Sequence, residues 1–104
     1  MAQPQGERDA VAADPQHYTV EVDNEQVRVL RIRYGPREKS VMHAHPAVVA
    51  IFLTDLHGRF TYPDGTSEEI QGQAGQVLAM PATMHLPENL SDQPFEIILV
   101  ELKA

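Results

Sequence analysis

Apolar and polar residues alternate along most of the chain after residue 17, with the two-residue period of half-buried β-strands. Short turns that contain glycine or proline separate these stretches, and PDG at 63–65 is a strong hairpin signal. No stretch of useful length follows the 3.6-residue period of a helix. The predicted strands are YTVEV (18–22), VRVLRIRY (27–34), AVVAIFLTD (47–55), RFTY (59–62), SEEI (67–70), QVLAM (76–80), TMHLPEN (83–89) and PFEIILVEL (94–102).

This pattern predicts an all-β domain, either a sandwich or a small barrel, with about eight to ten short antiparallel strands. Residues 1–16 are polar and rich in proline and glycine, and are predicted to form a flexible N-terminal arm. Residues 17–104 are predicted to form one domain, as expected for a chain of 104 residues. The exposed strand edges of so small a barrel favour the pairing of two subunits, so we expect a homodimer.

Composition and charge narrow the classes of function. Eight Lys and Arg residues against fifteen Asp and Glu residues give a formal net charge of −7, which argues against nucleic acid or an anionic membrane as partner. The absence of cysteine excludes disulfides, thiolate metal sites and cysteine nucleophiles. The first residues lack the apolar core of a signal peptide, and no apolar run approaches the roughly 18 residues of a membrane span. A soluble cytoplasmic protein is therefore expected.

The stretch MHAHPAVVA contains the first residues that suggest chemistry. Side chains alternate between the faces of a strand, so His43 and His45 point to the same side with Cα atoms about 6.6–6.8 Å apart. Two imidazoles at that spacing can reach one metal ion at about 2.0–2.1 Å from each ring nitrogen. Continued alternation puts Val49 and Ile51 on the same inward face, unless Pro46 inserts a bulge. Two neutral histidines bonded to backbone carbonyls are the structural alternative.

The stretch GQVLAMPATMHLPEN adds a third histidine. Together the two stretches resemble the two signature motifs of the cupin superfamily. Gly75, Pro81, His85 and Asn89 match the second motif, G-x5-P-x-G-x2-H-x3-N. Thr83 stands at its middle glycine, and one residue fewer precedes the histidine.

The first cupin motif, G-x5-H-x-H-x(3,4)-E-x6-G, is matched by His43 and His45. Seven residues separate Gly35 from His43 where the motif has five. The glutamate of the motif falls on Val49, or on Ala50 with the longer spacing, and neither side chain can bind a metal. The resemblance covers the whole predicted β domain.

The resemblance implies a jelly-roll barrel, often dimeric, that holds one divalent metal ion per chain. Carried over to this sequence, the metal ligands would be His43, His45 and His85. Fe(II) is the favoured ion, and Zn, Ni, Mn or Cu also suit imidazole ligands. Three neutral imidazoles leave the charge of the ion uncompensated, which favours an anionic ligand such as an enolate, carboxylate or thiolate.

The three histidines are similar to those of the three-histidine cupin dioxygenases. The leading hypothesis is therefore a dioxygenase-like enzyme that acts on a small oxygenated molecule able to form an enolate or carboxylate. A metal that acts only as a Lewis acid would support a lyase or an isomerase instead. A non-catalytic module that binds or senses a small ligand is the third hypothesis. The walls of the substrate pocket are predicted to include Val49, Ile51, Phe60, Met80 and Phe95.

Other polar residues have simpler predicted roles. Five of the eight basic residues lie at positions 28–39, where we expect a solvated face paired with acids, or else one inward arginine that orients an anionic substrate. Asn89 is predicted to cap the loop after His85, and His57 to lie exposed in a turn. The role of His17 stays open.

Overall fold

The computed structural model describes residues 8–103, and within them it contains one short helix and nine strands. No helix among these residues is long and apolar enough to cross a membrane. Residues 1–7, which belong to the predicted arm, lie outside the described residues. The elements in chain order are α1 (Ala10–Ala13), β1 (Tyr18–Asp23), β2 (Val27–Tyr34), β3 (His43–His45), β4 (Val48–Phe52), β5 (Leu56–Thr61), β6 (Ser67–Gly72), β7 (Val77–Met80), β8 (Thr83–Asn89) and β9 (Phe95–Leu102).

The strands form two antiparallel sheets that pack face to face. One sheet has five strands in the order β1-β2-β9-β4-β7, and the other has four strands in the order β3-β8-β5-β6. The prediction of an all-β domain is confirmed. The strands follow the sequence pattern because β-branched and aromatic residues alternate with polar ones, so that one face of each sheet can be buried.

The core lies between the two sheets and is built mainly by the five-stranded sheet. Leu30 at the centre of β2 is fully buried, and burying such a side chain stabilises the fold by about 1.5–3 kcal/mol. Phe95 and Leu99 on β9 lie on the same inner face. The other buried apolar residues are Ala10, Tyr18, Ile32, Tyr34, Val48, Ala50 and Phe52.

The predicted inward face of β4 was wrong by one residue. Strands β3 and β4 belong to different sheets, and the two residues between them include Pro46, which has no N–H to donate to a ladder. Pairing therefore stops after β3, and the alternation restarts with a new phase in the other sheet. Val49 and Ile51, predicted to face inward, are only half-buried. The buried positions of β4 are Val48, Ala50 and Phe52.

Residues 8–16 pack against the barrel, whereas the sequence predicted a flexible arm there. Asp9 caps α1, since its side chain accepts hydrogen bonds from two backbone N–H groups of the first turn at 3.2 and 3.3 Å. Its backbone also forms a parallel bridge with Ala44 of β3, and Ala10 is fully buried. A four-residue helix is too short to show periodicity in the sequence, which explains the difference.

Candidate metal centre

Strands β3 and β8 bring the three predicted ligands together. His43 lies directly opposite His85 in the antiparallel register, and His45 follows His43 on the same face. The ring centroids of the three pairs are 4.9, 5.1 and 5.3 Å apart, with interplanar angles of 85°, 87° and 80°. One ligand nitrogen from each ring lies within 4.8 Å of the other two. The rings therefore meet edge to edge around a common point.

Several nitrogens of this cluster are buried without a hydrogen-bond partner. They are Nε2 of His43 and both ring nitrogens of His85. An unpaired buried polar atom costs about 1–3 kcal/mol, so orphaned nitrogens that converge from two strands point to a bound group. Imidazole nitrogens are preferred donors for divalent transition metals, and the residues present fit such an ion.

Burial keeps His43 and His85 in the neutral form that a metal requires. It lowers the pKa of His85 to about 2 and the pKa of His43 to about 4, and the neighbouring histidine rings contribute smaller effects in the same direction. A neutral imidazole offers a lone pair to an ion, whereas an imidazolium has none.

Hydrogen bonds behind two of the rings determine which nitrogen faces the cluster. His43 donates its Nδ1–H to the carbonyl oxygen of Val41 at 2.8 Å. His45 donates its Nδ1–H to Oε2 of Glu101, also at 2.8 Å. Both rings therefore present an unprotonated Nε2 to the common point. Outer contacts of this kind orient metal-binding histidines.

Glu101 contacts the histidine cluster through His45, and the sequence interpretation missed it. Its side chain is 4% exposed and also accepts a hydrogen bond from Nε of Arg28 at 2.8 Å. Burial alone would raise the pKa of the Glu101 carboxyl, but the hydrogen bonds from His45 and Arg28 outweigh burial and lower it. A signal was present, because alternation along β9 puts Glu101 on the same inward face as Phe95 and Leu99.

A second group of buried polar side chains lies behind His43. Asp14 accepts a hydrogen bond from Nδ1 of His17 at 2.7 Å and one from the Ser40 hydroxyl at 2.5 Å. The Ser40 oxygen lies 3.3 Å from Nδ1 of His43, and Nε2 of His17 lies 2.9 Å from Glu38. The role of His17, which the sequence left open, is to join residues 8–17 to the barrel.

An apolar cavity of about 70 Å³ opens beside the histidines, and two of the three line it. Phe60, Met80 and Phe95 line this cavity, as predicted for the substrate pocket. Val49 and Ile51 do not, because the change of phase before β4 turns them to the other face of the sheet.

The cavity wall carries few polar groups besides the histidines. The hydroxyls of Tyr18 and Tyr34 bond to each other at 2.7 Å, and burial raises the pKa of both phenols, which therefore stay protonated. The carboxylate of Glu88, another wall residue, lies 3.7 Å from Arg59. Ala50 also lines the wall, at the position that the longer motif spacing assigns to a glutamate.

Most of the basic run forms ion pairs on the outer face of the barrel, as predicted. Arg31 and Arg33 both reach Glu96, at 2.7 and 3.0 Å, and Arg37 reaches Asp92 at 2.9 Å. Arg28 differs from these residues, because its side chain is mostly buried and contacts Glu101.

The prediction for Asn89 is confirmed. Asn89 is fully buried and donates to the carbonyl oxygens of Gly35 and Gln93 at 3.0 and 2.8 Å, so it caps the loop after β8. His57 lies within strand β5 rather than in a turn, with its side chain 41% exposed and its Nε2 3.0 Å from Glu69.

Comparison with solved structures finds the same fold in several proteins. A cupin domain from Bordetella pertussis Tohama I matches with a TM-score of 0.77 at 30% identity, over 84% of this chain and 92% of that one. An RmlC-like cupin family protein with a double-stranded β-helix fold from Methanocaldococcus jannaschii matches with a TM-score of 0.62 at 20% identity, over 86% and 83%. The polyketide cyclase RemF from Streptomyces resistomycificus matches with a TM-score of 0.61 at 15% identity, over 82% and 63%.

The last two likenesses show the fold alone, and they confirm the predicted jelly-roll barrel. No family model and no curated protein matches the chain.

Proposed function

This chain belongs to the cupins, and on that premise we propose that it binds one divalent metal ion through His43, His45 and His85. The observation that carries the proposal is the convergence of three buried imidazoles, two of which have unpartnered nitrogens. Fe(II) is the ion we favour, with Zn, Ni, Mn and Cu as alternatives that imidazole also suits.

We propose an anionic substrate for this centre. Three neutral imidazoles would leave the full charge of a divalent ion uncompensated in a cavity of low dielectric constant. The wall position where the motif has its glutamate carries only the methyl group of Ala50. An enolate or carboxylate would supply the missing negative charge at the ion.

The cavity limits the size of that substrate. Its volume of about 70 Å³ is smaller than the engineered cavity of about 150 Å³ that takes up benzene. Its wall is apolar apart from the histidines, the paired tyrosines, Thr83 and Glu88. A small molecule with one oxygenated end at the histidines and an apolar body in the cavity fits this shape.

We propose that the reaction is dioxygenase-like. When bound, Fe(II) would supply a centre at which dioxygen and an anionic substrate react. The protein's part is to hold His45 in the tautomer that can bind and to exclude water with the apolar wall. Among the polar groups of the described cavity wall, Tyr18 and Tyr34 stay protonated, and the Glu88 carboxylate lies 3.7 Å from Arg59.

A non-catalytic binding or sensing module is the second candidate, and the small number of polar groups in the cavity wall favours it. A metal-dependent lyase or isomerase without redox chemistry is the third. RemF, a polyketide cyclase, has the same fold.

Elemental analysis of untagged protein, purified without chelator, tests the metal proposal. We expect about one metal ion per chain, and little metal after reconstitution with each ion in turn would refute the site. Oxygen uptake is then measured with small β-diketones, enols and carboxylates. Uptake that requires both metal and substrate supports the dioxygenase. Anaerobic turnover supports the lyase or isomerase, and tight binding without turnover supports the binding module.

We also propose that the protein is a cytoplasmic homodimer with a small-molecule ligand. Strands β1 and β7 are the edges of the five-stranded sheet, and both carry exposed apolar side chains. Val77 on β7 is 59% exposed, and Val22 on β1 is 46% exposed. Unpaired edges of this kind favour association with a second copy. Light scattering checks the dimer, and a monomer at high concentration would contradict it.

A further inference from the structure

We propose that Glu101 is a positioning residue for His45 and supplies, one residue away from the metal, the negative charge that the three histidines lack. This inference rests on the proposed metal function. Oε2 of Glu101 accepts from Nδ1 of His45, and Oε1 accepts from Nε of Arg28, both at 2.8 Å. The side chains of Glu101 and His45 are each 4% exposed, so water competes little for these contacts.

The two contacts together determine the tautomer of His45. The Arg28 guanidinium, which stays charged, donates to Oε1 and forms an ion pair with Glu101, so the group is a carboxylate and both of its oxygens can only accept. Nδ1 of His45 must then carry the proton. The lone pair of the ring lies on Nε2, which is the nitrogen that faces the other two histidines.

The three rings differ in the charge that lies behind them. The Nδ1–H of His43 bonds to the neutral carbonyl of Val41, and neither nitrogen of His85 has a partner among the described residues. Behind His45 there is a carboxylate. A carboxylate that accepts the Nδ1–H of a ligand histidine makes the ring a stronger donor and offsets part of the charge of the ion. Glu101 thus acts through His45, since Ala50 offers no carboxylate inside the cavity.

The position of Glu101 is itself held by a chain of contacts that returns to β3. The guanidinium of Arg28 forms an ion pair with Asp9. The backbone of Asp9 bridges to Ala44, the residue between the two histidines of β3. Strands β2, β9 and β3 are therefore joined through buried charges around His45.

The variant Glu101→Gln tests the role of the carboxylate. Glutamine keeps the size but presents one oxygen and one NH₂ group where two N–H donors meet. If the oxygen stays with Arg28, the NH₂ group faces Nδ1 of His45 and selects the tautomer with the proton on Nε2, which cannot bind a metal. We expect the affinity for Zn(II) and for Co(II), measured by competition with a chromophoric chelator, to fall about 10–100-fold.

Glu96→Gln is the matched control. Glu96 lies on the same strand and accepts from Arg31 and Arg33 at 2.7 and 3.0 Å, but its carboxylate contacts no histidine among its hydrogen-bond partners. The metal affinity of the Glu96→Gln variant should equal that of the wild type. Equal affinities in Glu101→Gln and wild type would overturn the proposal.

The ¹⁵N NMR spectrum of the metal-free protein gives a second readout that needs no metal. Long-range ¹H–¹⁵N correlations identify the protonated nitrogen of each histidine. We expect Nδ1–H for His45 in the wild type and a mixed or Nε2–H population in Glu101→Gln. An Nε2–H tautomer of His45 in the wild type would overturn the proposal, even if the variant does not fold. If the wild type binds no metal, the proposed function fails. The His45 tautomer observed by NMR would still show whether Glu101 positions His45.

Discussion

Two buried carboxylates lie close to the histidines, Glu101 behind His45 and Asp14 behind His43, and they differ in what they contact. Glu101 accepts a hydrogen bond directly from the ring at 2.8 Å. Asp14 reaches its ring only through Ser40, whose oxygen lies 3.3 Å from Nδ1 of His43. The better partner of that nitrogen is a backbone carbonyl at 2.8 Å. Two acids at similar depth are therefore coupled to the site very differently.

Because their hydrogen-bond partners differ, Glu101 can act on the histidine cluster, whereas Asp14 stabilises the fold. The Glu101 carboxylate can change the tautomer and the donor strength of a ligand. The Asp14 carboxylate satisfies His17 and Ser40, and so holds residues 8–17 against the barrel. Burial and proximity to the three histidines alone would have assigned both acids the same function. The hydrogen-bond partner of each ring nitrogen distinguishes them.

The largest expected effect is the loss of the metal in His43→Ala and in His45→Ala. Each substitution removes one of three ligand nitrogens, and an ion held by two imidazoles in an apolar wall is poorly compensated. We expect less than about a tenth of the wild-type metal content in both variants, as measured by elemental analysis. The two losses should be equal, because removal of a ligand outweighs whatever lies behind it.

His57→Ala is the control for these variants, because it removes an exposed histidine paired with Glu69. Its metal content should match that of the wild type. Undiminished metal in either His43→Ala or His45→Ala would mean that the ion binds elsewhere, and the comparison of the two carboxylates would lose its basis.

The strands and the histidine cluster could be predicted from the sequence, because local patterns encode them. The two-residue alternation predicted the strands and put His43 and His45 on one face, and the resemblance to the cupin motifs added His85 to the predicted cluster, although the binding of a metal stays a prediction. The inward face of β4 could not be predicted, because its phase depends on Pro46 and on the sheet that each strand joins.

The contact between Glu101 and His45 could not be predicted, since the two residues are 56 positions apart. Alternation places Glu101 inward, but no local signal names its partner. The same holds for Asp14 and Ser40, which are 26 positions apart. The first contact depends on how the two sheets pack, and the second on how residues 8–17 lie against the barrel. No short pattern in a single sequence encodes either arrangement.

The second prediction concerns the stability that bound metal adds to the fold. The difference in this stability between wild type and Glu101→Gln reports how much Glu101 contributes to metal binding. A free metal concentration of about 100 times Kd should stabilise the wild type by about 2.7 kcal/mol. One kcal/mol corresponds to about 4–8 °C in a domain of this size, so Tm should rise by roughly 10 °C or more. In Glu101→Gln at the same metal concentration, a tenfold higher Kd should reduce the stabilisation by about 1.4 kcal/mol.

Thermal unfolding with and without Zn(II), followed by circular dichroism, checks this expectation. His85→Ala serves as the reference that cannot assemble the site, and its Tm should not respond to the metal. An equal rise of Tm in His85→Ala and in the wild type would show that the stabilisation comes from another site.

The smallest expected effect on the metal is that of Asp14→Asn. Asparagine keeps one acceptor oxygen but loses the charge that His17 and Ser40 contact. The free energy of unfolding in denaturant should fall by about 1–3 kcal/mol, because a buried donor is left without its charged acceptor. The metal affinity should stay within about threefold of the wild type, since His43 keeps its bond to the Val41 carbonyl.

Asp14→Asn and Glu101→Gln are matched substitutions of a buried acid by its amide, so their ratio of metal affinities isolates the contact with the ligand ring. Ser40→Ala completes the set by removing the side chain that lies between Asp14 and His43. It too should leave the affinity unchanged. A tenfold loss in either Asp14→Asn or Ser40→Ala would mean that the 3.3 Å contact transmits charge to His43 as effectively as the 2.8 Å contact does to His45. Both carboxylates would then support the metal, and the charge behind the three histidines would be shared between two rings.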